Sequence, residues 1–372
     1  MNWLGLDIGG ANLKASDGKS FIVSRPFPLW KHPERLAETL AALLAEAPPV
    51  DSLAVAMTGE LADCFSTKSE GVAAILAAVE IAVSGRRVCV YLTDGRWASP
   101  QEALVQPLLA AASNWHALAR YAGRFAPAAA SLLVDVGSTT TDIIPLTDGC
   151  PAARGATDPQ RLIEGELVYT GVLRSPVCAV VDRLPWRGGS CPVAQELFAT
   201  VRDAYLLLGE MPESPADRDT ADGRPATAEA AHDRLARSIC ADRALVSRTE
   251  AEQMAAAVYD AQSRRVAAAI EQVASRLTSP AAAIILSGSG EFLARRALAR
   301  LGWLPSTRSH ALRGSARSDA PLCRTLSQAS DLSNLPTVIS LSDQLGPDAS
   351  RAATAHALAL LAAESEQPPI TS

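Results

Sequence analysis

At 372 residues the chain is long enough for two domains with full cores. Its 48% hydrophobic and 20% charged residues fit a soluble globular protein, and a formal charge of −6 without any Lys/Arg cluster argues against nucleic acid or an anionic membrane as the main partner. Small-molecule substrates remain. No basic, apolar leader precedes the first strand and no apolar run reaches membrane-spanning length, so a cytoplasmic protein is expected. Seven cysteines without any C-x-x-C spacing read as reduced thiols rather than a disulfide frame or zinc site, and the five histidines are isolated. The composition leaves a homo-oligomer open.

In chain order, residues 2–8, 11–16 and 20–27 read as three strands joined by tight turns. A helix from Pro33 to Ala47 follows and is closed by Pro48-Pro49, because proline cannot continue a helix. Ser52–Met57 is a fully apolar strand running into Thr58-Gly59-Glu60. Ser69–Ser84 has helical periodicity, Arg87–Thr93 is a strand, and 100–123 reads as two short helices. The pattern then restarts, with strands at Ser131–Val136, Thr141–Leu146 and Val177–Asp182. Helices over 193–208 and 227–239 flank Met211–Ala226, a surface loop rich in Pro, Asp and Gly. Thr249–Leu277 is a long amphipathic helix. Ala281–Leu286 is an apolar strand ending in Ser287-Gly288-Ser289-Gly290-Glu291, with a helix behind it. A polar stretch over 306–334 precedes a strand at Thr337–Leu341, a helix at Asp348–Ala363 and a frayed end over 364–372. The expected architecture is α/β with two lobes, 1–130 and 131–347, a cleft between them, and the last helix packed on the first lobe.

The most informative strings are Leu6-Asp7-Ile8-Gly9-Gly10-Ala11-Asn12-Leu13-Lys14 and Val134-Asp135-Val136-Gly137-Ser138-Thr139-Thr140-Thr141-Asp142. In each, an apolar strand ends in Asp-x-Gly, a small polar turn follows, and an apolar strand resumes. Such turns close backbone N–H groups and hydroxyls on phosphate oxygens, because glycine lacks the Cβ that would block approach. The strand-end aspartate can hold a hydrated Mg²⁺ or orient a water. A lone copy is usually only a turn. Two copies with the acid in the same place read as a two-lobed phosphate clamp.

With Ser287-Gly288-Ser289-Gly290, the two turns stand in the order of the three phosphate and nucleoside loops of the actin-like ATPase and sugar-kinase superfamily, whose fold is ribonuclease H-like. Longer strings narrow the resemblance. The chain resembles the hydantoinase A/oxoprolinase branch, and a closer resemblance inside it rests on Met57-Thr58-Gly59-Glu60-Leu61-Ala62-Asp63 with Lys68 and Glu70-Gly71-Val72, on Gly165-Glu166-Leu167-Val168-Tyr169-Thr170-Gly171-Val172-Leu173-Arg174, and on Thr220-Ala221-Asp222-Gly223-Arg224. Within that branch the chain is similar to the tetrahydromethanopterin-linked C1-transfer pathway proteins, which include furan-methanamine synthases of methanofuran biosynthesis. The resemblance implies a transferase that joins the phenol of γ-glutamyltyramine to an aminomethyl-furanmethyl diphosphate, with release of diphosphate.

Such an enzyme needs a diphosphate clamp, a metal and a base for the phenol. The expected clamp is Gly9, Gly10, Ala11, Asn12 and Lys14, facing Gly137, Ser138, Thr139, Thr140 and Thr141, with Gly288, Ser289 and Gly290 as a third loop. Asp7, Asp135 and Asp142 are the expected carboxylates around Mg²⁺. Glu60 or Asp63, behind an apolar strand, is the candidate base; a helix N-terminal acid is the plainer reading. Lys68, Glu166, Tyr169, Thr170, Arg174 and Asp222 are candidate substrate contacts, with interlobe packing, ion pairing or turn chemistry as their alternatives. ATP is not favoured. The competing functions are an ATP-dependent small-molecule kinase or amide hydrolase subunit of the same fold, and a non-catalytic nucleotide-binding actin-like protein.

Overall fold

The computed structural model describes residues 2–83, 85–305 and 335–365. The first sheet contains β1 (Trp3–Ile8), β2 (Asn12–Ser16), β3 (Ile22–Pro26), β4 (Ser52–Met57), β5 (Arg87–Tyr91) and β6 (Trp97–Ala98), in the order β3-β2-β1-β4-β5-β6. In the second sheet are β7 (Ser131–Val136), β8 (Thr141–Thr147), β9 (Cys150–Pro151), β10 (Leu167–Val168), β13 (Ala283–Ser287) and β14 (Thr337–Ser340). Their order is β10-β8-β7-β13-β14, with β9 on β8. β1 pairs antiparallel with β2 and parallel with β4; β7 does the same with β8 and β13. The two sheets therefore repeat one plan, which is the duplicated strand arrangement of the actin-like, ribonuclease H-like fold.

β1 and β4 are buried along their whole length, as expected for uninterrupted apolar strands covered on both faces. Helices Leu36–Glu46 and Lys68–Ala82 cover one face of the first sheet. Helices Val201–Leu208, Arg248–Ala274 and Glu291–Arg300 cover one face of the second. Between the sheets lies helix Asn114–Ala122. Its Trp115, Leu118 and Ala119 pack on Leu133, Ile144 and Ile285 of the second sheet, while Ala117 joins Trp3, Ala54 and Leu358 against the first. By chain position this helix falls within the first lobe, 1–130, but its packing divides it between both sheets. Helix Ala353–Glu364 lies beside it and against β1.

Several boundaries differ from expectation for local reasons. Val177–Asp182 is not a strand: Val177–Val180 is a single helical turn, and the strands come next as the hairpin β11 (Arg183–Trp186) and β12 (Gly189–Pro192). Its turn uses positive φ at Arg187 and Gly188, the geometry that two-residue hairpins require. The helix expected from 193 begins only at Val201, where Thr200 and Asp203 form a capping box. The helix expected from Pro33 starts as a 3-10 turn, Pro33–Arg35; three short helices rather than two occupy 100–122; and the last predicted helix is split into Pro347–Arg351 and Ala353–Glu364. The polar stretch 306–334 and residues 366–372 lie outside the described residues.

Gly5 marks where β1 meets the C-terminal helix most closely, since a Cβ there would lie 1.9 Å from the Ala355 carbonyl oxygen. Backbone on both sides leaves nothing to rotate away. Gly5→Ala should cost about 1–3 kcal/mol in denaturant unfolding, the range for overpacking a tight interior; an unchanged midpoint would show that the helix can slide off the strand.

Candidate functional site

Each lobe carries the same device at its first hairpin. The Gly9 N–H donates to the Asn12 carbonyl at 3.0 Å and the Gly137 N–H to the Thr140 carbonyl at 2.9 Å, so the two turns share one geometry. Glycine is needed in the first because a Cβ on Gly9 would stand 2.9 Å from the Asn12 oxygen. Two residues before each glycine is an aspartate. Across the hairpin Asp7 faces Lys14, whereas Asp135 faces Asp142. The repeat thus places a cation in one hairpin and a second anion in the other.

That exchange sets the electrostatics. Lys14 Nζ lies 3.5 Å from Asp7 Oδ2. Burial first, and then the Asp142 charge, push the Asp135 carboxyl up to about 6, while Lys14 pulls it back. Lys14 and Asp7 belong to the first lobe and Asp135 to the second, so the two turns face each other across the cleft. Asp142 is held by buried Arg161 at 2.7 Å. Asp7 Oδ1 is buried without a hydrogen-bond partner, an acceptor that a cation or a ligand donor would satisfy. Among the described residues no three or more His, Cys, Asp or Glu side chains converge as a metal cage. Asp7 and Asp135 still suit Mg²⁺, which keeps much of its water and takes one or two carboxylates. Asp142 does not join them, because Arg161 already occupies it.

Beside the turns, a cavity of about 250 Å³ is lined by Lys68, Thr93, Leu108, Ala111, Ala112 and Trp115, and by Ala156–Pro159, which follow the second turn. Lys68, at the start of its helix, donates a hydrogen bond to Asp158 across the cleft. Its Nζ is also 3.9 Å from Glu60 Oε1. Glu60 is 1% exposed and its Oε2 has no partner. Burial raises its carboxyl to about 7, with Lys68 opposing the rise and Asp158 adding to it. Asp63, the other candidate base, is exposed on the following loop.

Other expected contacts prove structural. Glu166 is fully buried and accepts the Arg154 and Gly155 N–H groups at 2.8 and 3.0 Å. Thr170 is fully buried between Ser175 and Gln262, and the Thr141 hydroxyl donates to the Thr170 carbonyl instead of facing the turn. Asp222 binds Arg224, Arg234 and Arg237, knotting its loop to helix Ala228–Arg237. Gly288 and Gly290 answer to packing: a Cβ on Gly288 would lie 2.3 Å from the Val136 oxygen, and one on Gly290 2.4 Å from Val136 Cγ1. Ser289 is exposed. Gly10, Ala11, Ser138 and Thr139 remain half-buried at the turns. Tyr169 is 65% exposed. Arg174 stacks over Trp30 of the first lobe at 4.5 Å, which makes it an interlobe contact. Asp158, Arg161, Trp115, Ala112 and Trp30 are not among the residues that the motifs single out, yet the structure brings them to the site. A tryptophan directly after a polar Ser113-Asn114 helix start was the one available signal for Trp115.

Two lobes built on one strand plan, with facing Asp-x-Gly turns, define a member of the actin-like fold class with a polar interlobe site. Residues 51–308 match the family model described as Hydantoinase/oxoprolinase. The chain belongs to that family. It is 36% identical over 298 residues, 79% of this chain and 88% of the relative, to the (4-{4-[2-(gamma-L-glutamylamino)ethyl]phenoxymethyl}furan-2-yl)methanamine synthase of Methanocaldococcus jannaschii. The synthase of the same name from Methanococcus vannielii is 33% identical over 46% of this chain and 75% of its own. Among solved structures, the (R)-2-hydroxyglutaryl-CoA dehydratase component A of Acidaminococcus fermentans is similar over 97% of this chain and 96% of its own, at 11% identity and a TM-score of 0.43.

The Glu60 environment has a consequence for stability. Its carboxyl is raised from 4.5 to about 7 on folding, so the folded chain binds this proton more tightly than the unfolded chain does. Stability therefore falls as pH rises through that window and stays lower above it. Glu60→Gln should be more stable than the parent near pH 8, by on the order of 3 kcal/mol, with the gain vanishing near pH 4. Thermal melts at the two pH values check this; equal melting temperatures near pH 8 would mean that the charged carboxylate is compensated.

Proposed function

We propose that this protein is a transferase of methanofuran-type cofactor biosynthesis that forms an aryl ether. It joins the phenol of γ-glutamyltyramine to an aminomethyl-furanmethyl group and releases diphosphate. The observation that carries the reading is the 36% identity, over most of both chains, to a synthase whose named product contains a phenoxymethyl-furan link. Retracing that link gives a phenol oxygen and a furanmethyl carbon bearing a leaving group. The facing turns suit a diphosphate leaving group, because N–H donors aimed at a fixed point stabilise charge that develops there.

In this reading the Gly9–Asn12 and Gly137–Thr140 turns hold the diphosphate oxygens, and Lys14 balances their charge from the first lobe. Asp7 and Asp135 would hold Mg²⁺, which would supply further neutralisation of the departing diphosphate. The furan oxygen delocalises positive charge at the methylene carbon, so the bond to the leaving oxygen can lengthen early. Closure of the lobes around the site keeps water from competing with the phenol.

Asp7→Asn and Asp135→Asn should each lower turnover by about 10²-fold or more, the scale for losing an electrostatic stabiliser, while leaving the melting curve intact. Wild-type turnover in either variant removes that residue from the mechanism. The reading as a whole is tested by incubating the protein with Mg²⁺, the furanmethyl diphosphate and γ-glutamyltyramine, and following ether and diphosphate. ATP should be spared; acceptor-dependent ADP formation would assign the protein to the kinases instead.

A further inference from the structure

The cavity beside the turns is not part of the diphosphate clamp, yet it is joined to it by one short helix. Asp158 at the start of helix Asp158–Glu164 reaches Lys68 at the cavity wall. One turn on, Arg161 holds Asp142, the cross-strand partner of Asp135. The same guanidinium lies 4.2 Å from the ring centroid of Trp115, which lines the cavity. Leu108, Ala111, Ala112, Trp115 and Pro159 make most of the lining apolar. A closed apolar cavity of roughly 150 Å³ accepts benzene, so about 250 Å³ has room for a ring with one substituent. Behind this wall sits Glu60, 1% exposed, with Oε1 3.9 Å from Lys68 Nζ and Oε2 unpartnered.

Resting on the transfer reading above, we infer that this cavity is the pocket for the aromatic ring of the acceptor, and that Glu60 is the group that takes the phenolic proton. The bond account is closed. The phenol oxygen forms a bond to the furanmethyl carbon, and the carbon–oxygen bond to the diphosphate breaks with its electron pair leaving on diphosphate. The phenolic proton passes to the Glu60 carboxylate. Lys68, from the same lobe as Glu60, links that carboxyl to Asp158 of the other. A carboxyl whose ordinary value is moved to about 7 also exchanges a proton readily near neutrality.

The test uses the full chain and calorimetric titration with γ-glutamyltyramine, its analogue γ-glutamylphenethylamine lacking the hydroxyl, and inorganic diphosphate. Ala111→Leu fills the cavity, and Leu108→Glu, at a residue 58% exposed and therefore safe for folding, spoils its lining. Both should weaken γ-glutamyltyramine at least tenfold and leave diphosphate affinity unchanged. Glu60→Gln should keep the ring bound but abolish turnover, and the hydroxyl-free analogue should bind the wild type without reacting. The acid limb of the wild-type kcat/KM profile should fall near pH 7. Wild-type acceptor affinity in Ala111→Leu and Leu108→Glu overturns the pocket and leaves the transfer reading standing. Full turnover in Glu60→Gln overturns the base. A wild type that binds diphosphate but not γ-glutamyltyramine overturns the transfer reading and the pocket with it.

Discussion

The guanidinium of Arg161 is the interaction on which the site depends. It is 2% exposed, and one nitrogen donates both to Asp142 at 2.7 Å and to the Glu166 carbonyl at 3.0 Å. Its flat face lies against Trp115 in the helix between the lobes. Without it, Asp135 and Asp142 would confront each other as buried like charges on adjacent strands, an arrangement that forces one of them to stay protonated. With it, the Asp142 charge is opposed, though it still helps burial to raise the Asp135 carboxyl. Lysine would supply the charge but not the planar surface that meets the indole.

The second turn is also fixed from outside by close backbone approach. A Cβ on Gly171 would lie 2.5 Å from the Gly137 oxygen, and the N–H groups of Val172 and Leu173 donate to Gly137 and Ser138, both at 3.0 Å. Gly288 closes from the other side on Val136. The first turn is held by a matching pair of bonds: Leu29 donates to the Gly10 carbonyl and Phe27 to that of Ala11, both at 2.9 Å. The two halves of the clamp thus share a turn and are each pinned by backbone donors of a neighbouring segment, the second with the closer glycine contacts.

Much of the framework was legible because it rests on short-range rules. β1, β4, β7 and β8 are apolar runs bounded by turn residues, and the two Asp-x-Gly turns stand where an alternation of strand and turn places them. The cavity was not legible, because its wall is assembled from segments around Lys68, Thr93, Leu108–Trp115 and Ala156–Pro159. Ala112 adopts φ 50°, and nothing in an alanine announces that. Glycines also carry no mark of purpose. Gly288 and Gly290 looked like ligand-binding positions, whereas the space they leave is filled by Val136. Buried polar residues misled in the same way: Glu166 and Thr170 flank the short strand that pairs with β8 beside the second turn, but burial turns them inward to satisfy backbone donors and Gln262.

The contact between Gly5 and helix Ala353–Glu364 bears on the order in which the chain is completed. β1 is made about 345 residues ahead of the helix that covers it, which starts at Ala353. At synthesis rates of about 5–20 residues per second, tens of seconds separate the two. For that interval one face of the first sheet has only helix Asn114–Ala122 as native cover, while the second sheet and its three covering helices are already made. Maturation therefore runs against the direction of translation: the later lobe can consolidate first, and the earlier one waits for the chain to return. Nascent chains stalled before residue 353 would carry an exposed apolar sheet face, which is the kind of surface that holdase chaperones recognise.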